Sequence, residues 1–102
     1  MIKSLEKFKK FNETSQSLNK KFSKVKMFFD EDFSIQLKTL FENFDNFSLN
    51  ELENKLEYIK IYKKNIEKIE CNQKTKDKLF SVIDECLFFI NDLIMNQIIE
   101  NI

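Results

Sequence analysis

The chain contains neither glycine nor proline in 102 residues. This double absence restricts its folds more than any other feature. Two-residue hairpins need backbone at positive φ, which glycine adopts most cheaply, and proline shapes many of the other tight turns. Asparagine would have to do that work alone. An α-helix needs neither residue in its interior, and asparagine can terminate one. The expectation is therefore an all-α protein. An A/T-rich coding bias also accounts for the abundant Lys, Asn, Ile and Phe and for the missing Gly, Pro and Arg, with no reference to function.

Hydrophobic spacing locates the helices. Leu5, Phe8, Phe11, Leu18, Phe22, Val25 and Phe29 recur at steps of three, four or seven, which predicts a first helix over 3–29 with Ser4 as its N-cap. The polar run 12–17 is weakly helical and leaves room for a kink or break, although no proline forces one. Asp30-Glu31-Asp32 interrupts the pattern and suits the positive end of a new helix dipole. A short second helix over 32–46 follows, with Phe33, Leu37, Leu40, Phe41 and Phe44 on one stripe. Ser48 and Glu51 form a capping box, and Phe47 and Leu52 form the accompanying hydrophobic staple. They open a third helix over 48–70. Thr75 is the expected N-cap of a fourth, over 75–101, whose apolar residues cover more than one face. Short connectors make the whole an antiparallel up-down bundle of four helices, in one domain spanning 1–102. The second helix would be about half as long as the fourth.

Charge is distributed in blocks although the total is zero. Residues 1–29 carry eight lysines against two glutamates, and 30–53 carry one lysine against seven acids. Residues 54–78 carry eight lysines against four acids, and 79–102 carry four acids and no lysine. The sign therefore alternates from helix to helix. One consequence is that antiparallel neighbours attract, which favours one topology over its alternatives. The other is a surface with two strong poles. The acids Asp30, Glu31, Asp32, Glu42, Asp45, Glu51 and Glu53 would form a patch suited to a basic protein partner.

Most catalytic chemistry is disfavoured. Without histidine there is no Ser–His–Asp or Cys–His arrangement, and the commonest metal ligand is missing. Two cysteines cannot complete a structural zinc site. The S-x-x-K matches at Ser4–Lys7 and Ser17–Lys20 are too short to carry weight in a lysine-rich chain. Asp30, Asp32 and Ser34 begin like a calcium loop, but Ile35 and Phe41 occupy the positions that need Gly and Glu. No cofactor and no metal site is expected, and an enzyme is the weakest reading.

The remaining expectations concern partners. The leading one is a non-enzymatic protein-binding factor, of the inhibitor or immunity type, that blocks a basic surface with its acidic helix. The alternative is a homo-oligomeric module, possible homo-dimers included, built on the apolar excess of the fourth helix. Phe88, Phe89, Met95 and Ile99 are its candidate interface. A third reading gives the lysines of the first helix to nucleic acid or an anionic membrane. Nucleic acid is disfavoured by the zero net charge and the absence of arginine. Residues 1–7 contain no continuous apolar stretch, so no export signal is expected. The apolar run Cys86–Ile90 is far short of the ~20 residues a membrane span requires. Both observations predict a cytoplasmic location with Cys71 and Cys86 as free thiols.

Overall fold

Every α-helix begins on a side chain that accepts a backbone N–H from three residues ahead. Ser4 accepts from Lys7, Asp30 from Phe33, Ser48 from Glu51 and Asn72 from Thr75. These caps satisfy donors that the first turn of a helix leaves open. The computed structural model describes residues 2–102. Within them the helices are α1 (Leu5–Val25), α2 (Glu31–Asn43), α3 (Leu49–Ile66) and α4 (Gln73–Glu100). They form the expected all-α bundle, with no strand among the described residues.

The caps at Ser4 and Ser48 are those predicted, and Ser48 with Glu51 completes a capping box in both directions. The last helix starts earlier than expected. Asn72, rather than Thr75, is its N-cap, because the Asn72 side-chain oxygen reaches the Thr75 N–H at 2.8 Å. The helix ends also differ. The chain stops α1 and α2 by tightening into 3-10 turns at Lys26–Phe28 and Phe44–Asn46. It stops α3 at Ile66, four residues before the expected end, where Lys68 N–H turns back to the Asn65 carbonyl. No described residue has positive φ. Asparagine is therefore not used as a left-handed terminator; 3-10 bonding takes that role.

The polar run 12–17, where the sequence leaves room for a kink or break without forcing one, is helical throughout, since α1 runs through it. Ser15 explains why. It is buried, and its hydroxyl donates to the Phe41 carbonyl at 2.8 Å, tying α1 to the last turns of α2.

Cross-helix contacts fix the antiparallel order. The Lys3 N–H donates to Glu100 at one end of the α1–α4 pair, and Lys21 bonds Glu85 at 2.7 Å further along. Lys63 bonds Asp84 at 2.7 Å between α3 and α4, and the Gln97 amide donates to the Phe47 carbonyl beside the start of α3. Both ion pairs join a lysine-rich helix to an acidic one, as the alternating blocks require. With their side chains still partly open to solvent, each adds only about 0–1 kcal/mol.

α4 is the central rod. Leu79, Val82, Ile83, Cys86, Phe89, Ile90 and Leu93 are buried along it, and both α3 and α1 pack against it. α2 lies on α1 and reaches α3 through aromatic side chains. Phe33 stacks on Tyr62 with ring centres 3.6 Å apart and planes 7° from parallel, and Phe29 closes on it at 5.0 Å. A second aromatic group, Phe8, Phe11, Phe44 and Phe89, joins α1, the turn after α2, and α4.

The two cysteines are free and differ sharply. Burial, with a smaller contribution from the Glu85 charge, pushes the Cys86 thiol up to about 12. A thiol held protonated is a poor nucleophile. Cys71 is half-buried. The native chain should therefore consume one equivalent of Ellman's reagent, and the second only on unfolding. Cys71→Ser should abolish the native reaction; a fast native reaction in that variant would contradict the burial of Cys86.

Candidate docking face

The seven acids do not form one patch. Asp30, Glu31 and Asp32 stand at the start of α2, and Glu42 and Asp45 at and beyond its far end, about 20 Å away for a 13-residue helix. Glu51 and Glu53 lie in the first two turns of α3. Five of the seven already have work inside the chain. Asp30 caps α2, and Asp32 accepts from the Tyr58 hydroxyl at 2.7 Å. Glu42 faces Lys38 at 4.0 Å, and Asp45 accepts the Ile2 N–H at 2.9 Å. Glu51 belongs to the capping box.

Two of these end contacts respond to acid. The Ser48 backbone N–H, then its hydroxyl, holds the Glu51 carboxyl below its ordinary value of 4.5. The Lys3 N–H does the same for Glu100. A carboxyl with a lowered folded-state pKa contributes stability that is present above its unfolded value and lost as pH falls through the folded one. Thermal stability should accordingly decline below pH 4.5, and Glu51→Gln should flatten part of that decline. An identical pH profile for the variant would remove Glu51 from the account.

The apolar positions of α4 divide more sharply than the acids. Phe89 has to be corrected: it is only 2% exposed and packs its ring on Phe11 and Phe44, so it belongs to the core and not to an interface. Its neighbour Phe88, one helical step round, is 70% exposed. Met95 and Ile99 are each 55% exposed. Steps of seven and four put Phe88, Met95 and Ile99 on one outward stripe.

That stripe borders a furrow between α1 and α4. One stretch of the furrow runs past Glu13, Ser17, Glu85 and Phe88 to Asp92. The next continues from Asp92 past Lys7, Lys10 and Met95 to Ile99. Asn96 lines its floor at 4% exposure, and neither atom of its amide makes a hydrogen bond. It lies near enough to Glu100 to help lower that carboxyl without completing a bond. The Glu85 Oε2 is likewise buried and unbonded, while Oε1 holds Lys21. The furrow thus combines an exposed apolar stripe with buried polar atoms that lack partners.

Asn96 was legible in principle. The buried positions 82, 86, 89 and 93 alternate steps of four and three, and the next step falls on 96. Polarity hid it from a search for apolar stripes. The same rule finds Ser15 between Phe11 and Leu18.

No family model, curated protein or solved structure matches the chain. Among the described residues no group of His, Cys, Asp and Glu is placed to hold a metal ion, and no helix is long and apolar enough to cross a membrane.

Proposed function

We propose that this chain is a non-catalytic protein-binding module that docks through the α1–α4 face. The observation that carries the reading is the stripe of Phe88, Met95 and Ile99 along a furrow bordered by charges of both signs. Three large apolar side chains on one helix face, rimmed by polar groups, are the usual anatomy of a protein contact. A helical surface without histidine offers little for acid–base chemistry, which favours binding over turnover.

The inhibitor or immunity-type reading rests on the acidic block of 30–53. It would work chiefly through Asp30, Glu31 and Asp32, because the other four acids stand apart from them. Affinity capture from source cells separates the two readings. Wild-type chain, Phe88→Asp/Ile99→Asp, and Asp30→Lys/Glu31→Lys are compared as baits, each checked for retained helicity. Loss of the bound protein with the first variant alone supports the α1–α4 face. Loss with the second alone overturns it in favour of the acidic helix. A bound protein released by RNase, DNase or detergent-stripped lipid would instead give the lysines of α1 the leading role.

A further inference from the structure

We infer that a pit between the last turns of α1 and the second and third turns of α4 binds a small organic phosphate, held by Lys24, Lys78 and Ser81. The pit lies beyond Glu85, past the end of the docking stripe, and does not depend on the docking reading above.

The pit measures about 300 Å³ and is lined by Lys21, Lys24, Val25, Lys78, Ser81 and Val82. The antiparallel pairing sets its geometry. Lys21 bonds Glu85 across the two helices. Lys24 lies three residues on from Lys21, which puts it level with Ser81 and Val82. Lys78 stands one turn further along, at about 5 Å on the helix axis. Val25 and Val82 are buried and make the floor, while the lysines and the serine are exposed around it.

Every charge on this lining is positive. Lys21 is already matched, because its ammonium holds Glu85. Lys24 and Lys78 are not, since no described carboxylate lies within ion-pair distance of either. Asp77, beside Lys78 in the chain, takes the Gln73 amide. Elsewhere the contacts between helices set lysine against acid, as in Lys21–Glu85 and Lys63–Asp84. Here α1 and α4 set lysine against lysine, and the alternation of charge breaks down. Like charges held close repel, and an anion placed between them turns that repulsion into attraction.

The lining also selects the kind of anion. Two ammonium groups match the charge of a phosphate monoester, which lysine binds as a point charge where the arginine fork is missing. The Ser81 hydroxyl supplies a further donor for a phosphoryl oxygen. The valine floor has no polar side-chain atom, so it suits an apolar substituent better than a bare hydrated ion.

The test is a titration of the full, isotope-labelled chain followed by backbone amide NMR shifts, with phenyl phosphate as the probe. Shifts that saturate and centre on residues 21–25 and 78–82 are expected. Lys24→Gln and Lys78→Gln should each weaken binding by about 3- to 10-fold. Lys9→Gln, an exposed lysine at the far end of α1, should leave it unchanged. Inorganic phosphate should shift the same residues about 5-fold more weakly, for want of contact with Val25 and Val82. Lys78→Glu puts an acid opposite Lys24. It should abolish binding while raising the melting temperature of the ligand-free chain by about 1–5 °C. Unsaturated shifts scattered over lysines along the whole chain overturn the site, as does an affinity indifferent to Lys24→Gln and Lys78→Gln. Equal affinity for the two probes overturns the organic substituent. A lower melting temperature in Lys78→Glu overturns the opposition of the two lysines. Phosphatidic-acid vesicles that bind the chain through Lys24, when phenyl phosphate does not, overturn the free ester in favour of a lipid headgroup.

Discussion

Phe33→Ala should remove about 3–5 kcal/mol of folding free energy, the range for truncating a fully buried phenylalanine. Phe33 is wholly excluded from solvent. Its ring is the hinge of the aromatic group that couples three segments. It stacks on Tyr62 of α3, lies 6.1 Å from the Tyr58 ring, and meets Phe29 from the turn after α1. Removing it leaves a cavity whose walls are held from several directions, so collapse around the gap is restricted. α2 has few other ties to α3: the Tyr58–Asp32 and Tyr62–Asp30 bonds, and Lys55 on Gln36. Since domains of this size are stable by only about 5–15 kcal/mol in total, the loss should lower the melting temperature by roughly 15–30 °C. Phe28→Ala is the matched control. Phe28 is substantially exposed, and its loss should cost well under 1 kcal/mol by comparison with typical surface changes. Urea denaturation of the two variants measures the contrast. Equal midpoints would mean that the Phe33 stack contributes nothing specific.

The bundle was legible because its determinants are local and repetitive. Apolar steps of three and four name the buried face of α2 and the second half of that of α1, though Leu5 on the same stripe is exposed and Phe8 and Phe11 are only partly buried, and the Ser48–Glu51 pair marks the start of α3 within one position. The errors fall where local rules compete. At the start of α4, Asn72 and Thr75 are both good caps, and only the three-dimensional path of the chain decides between them. At the ends of α1, α2 and α3, the sequence lacks the glycine that would announce a stop, so the 3-10 turns leave no compositional mark. The helix runs on through 12–17 because the bond from Ser15 to the Phe41 carbonyl belongs to tertiary structure.

The candidate site was legible only in part, for a different physical reason. Phe88 and Phe89 are chemically identical and adjacent, and 100° of helical rotation separates a core residue from an exposed one. Sequence can say that one of them must face outward; the positions of α1 and α3 around α4 decide which. Charge counts similarly locate the acids on a segment without saying what they bond. Asp45 looks free along the chain, yet it accepts the Ile2 N–H.

Asn96 is where stability and function should be seen to pull apart. Its amide has given up water without gaining a hydrogen bond on either atom, a situation that costs about 1–3 kcal/mol for a buried polar group. Leucine is close in size, would continue the buried steps of Phe89 and Leu93, and has no polar atom to satisfy. Asn96→Leu should therefore stabilise the chain by about 1–3 kcal/mol, reversing the usual sign of a core substitution. Asn96→Ala should not match this gain, because it leaves the volume unfilled. The Glu100 carboxyl would lose one of the contacts that lower it and move back toward its ordinary value, so the gain should be measured near neutral pH, where that group is ionised in both states. Thermal and urea unfolding of Asn96→Leu at low protein concentration isolate the monomer from any association. A fall in stability would mean that the amide is satisfied in solution and that the floor of the furrow is an ordinary part of the core.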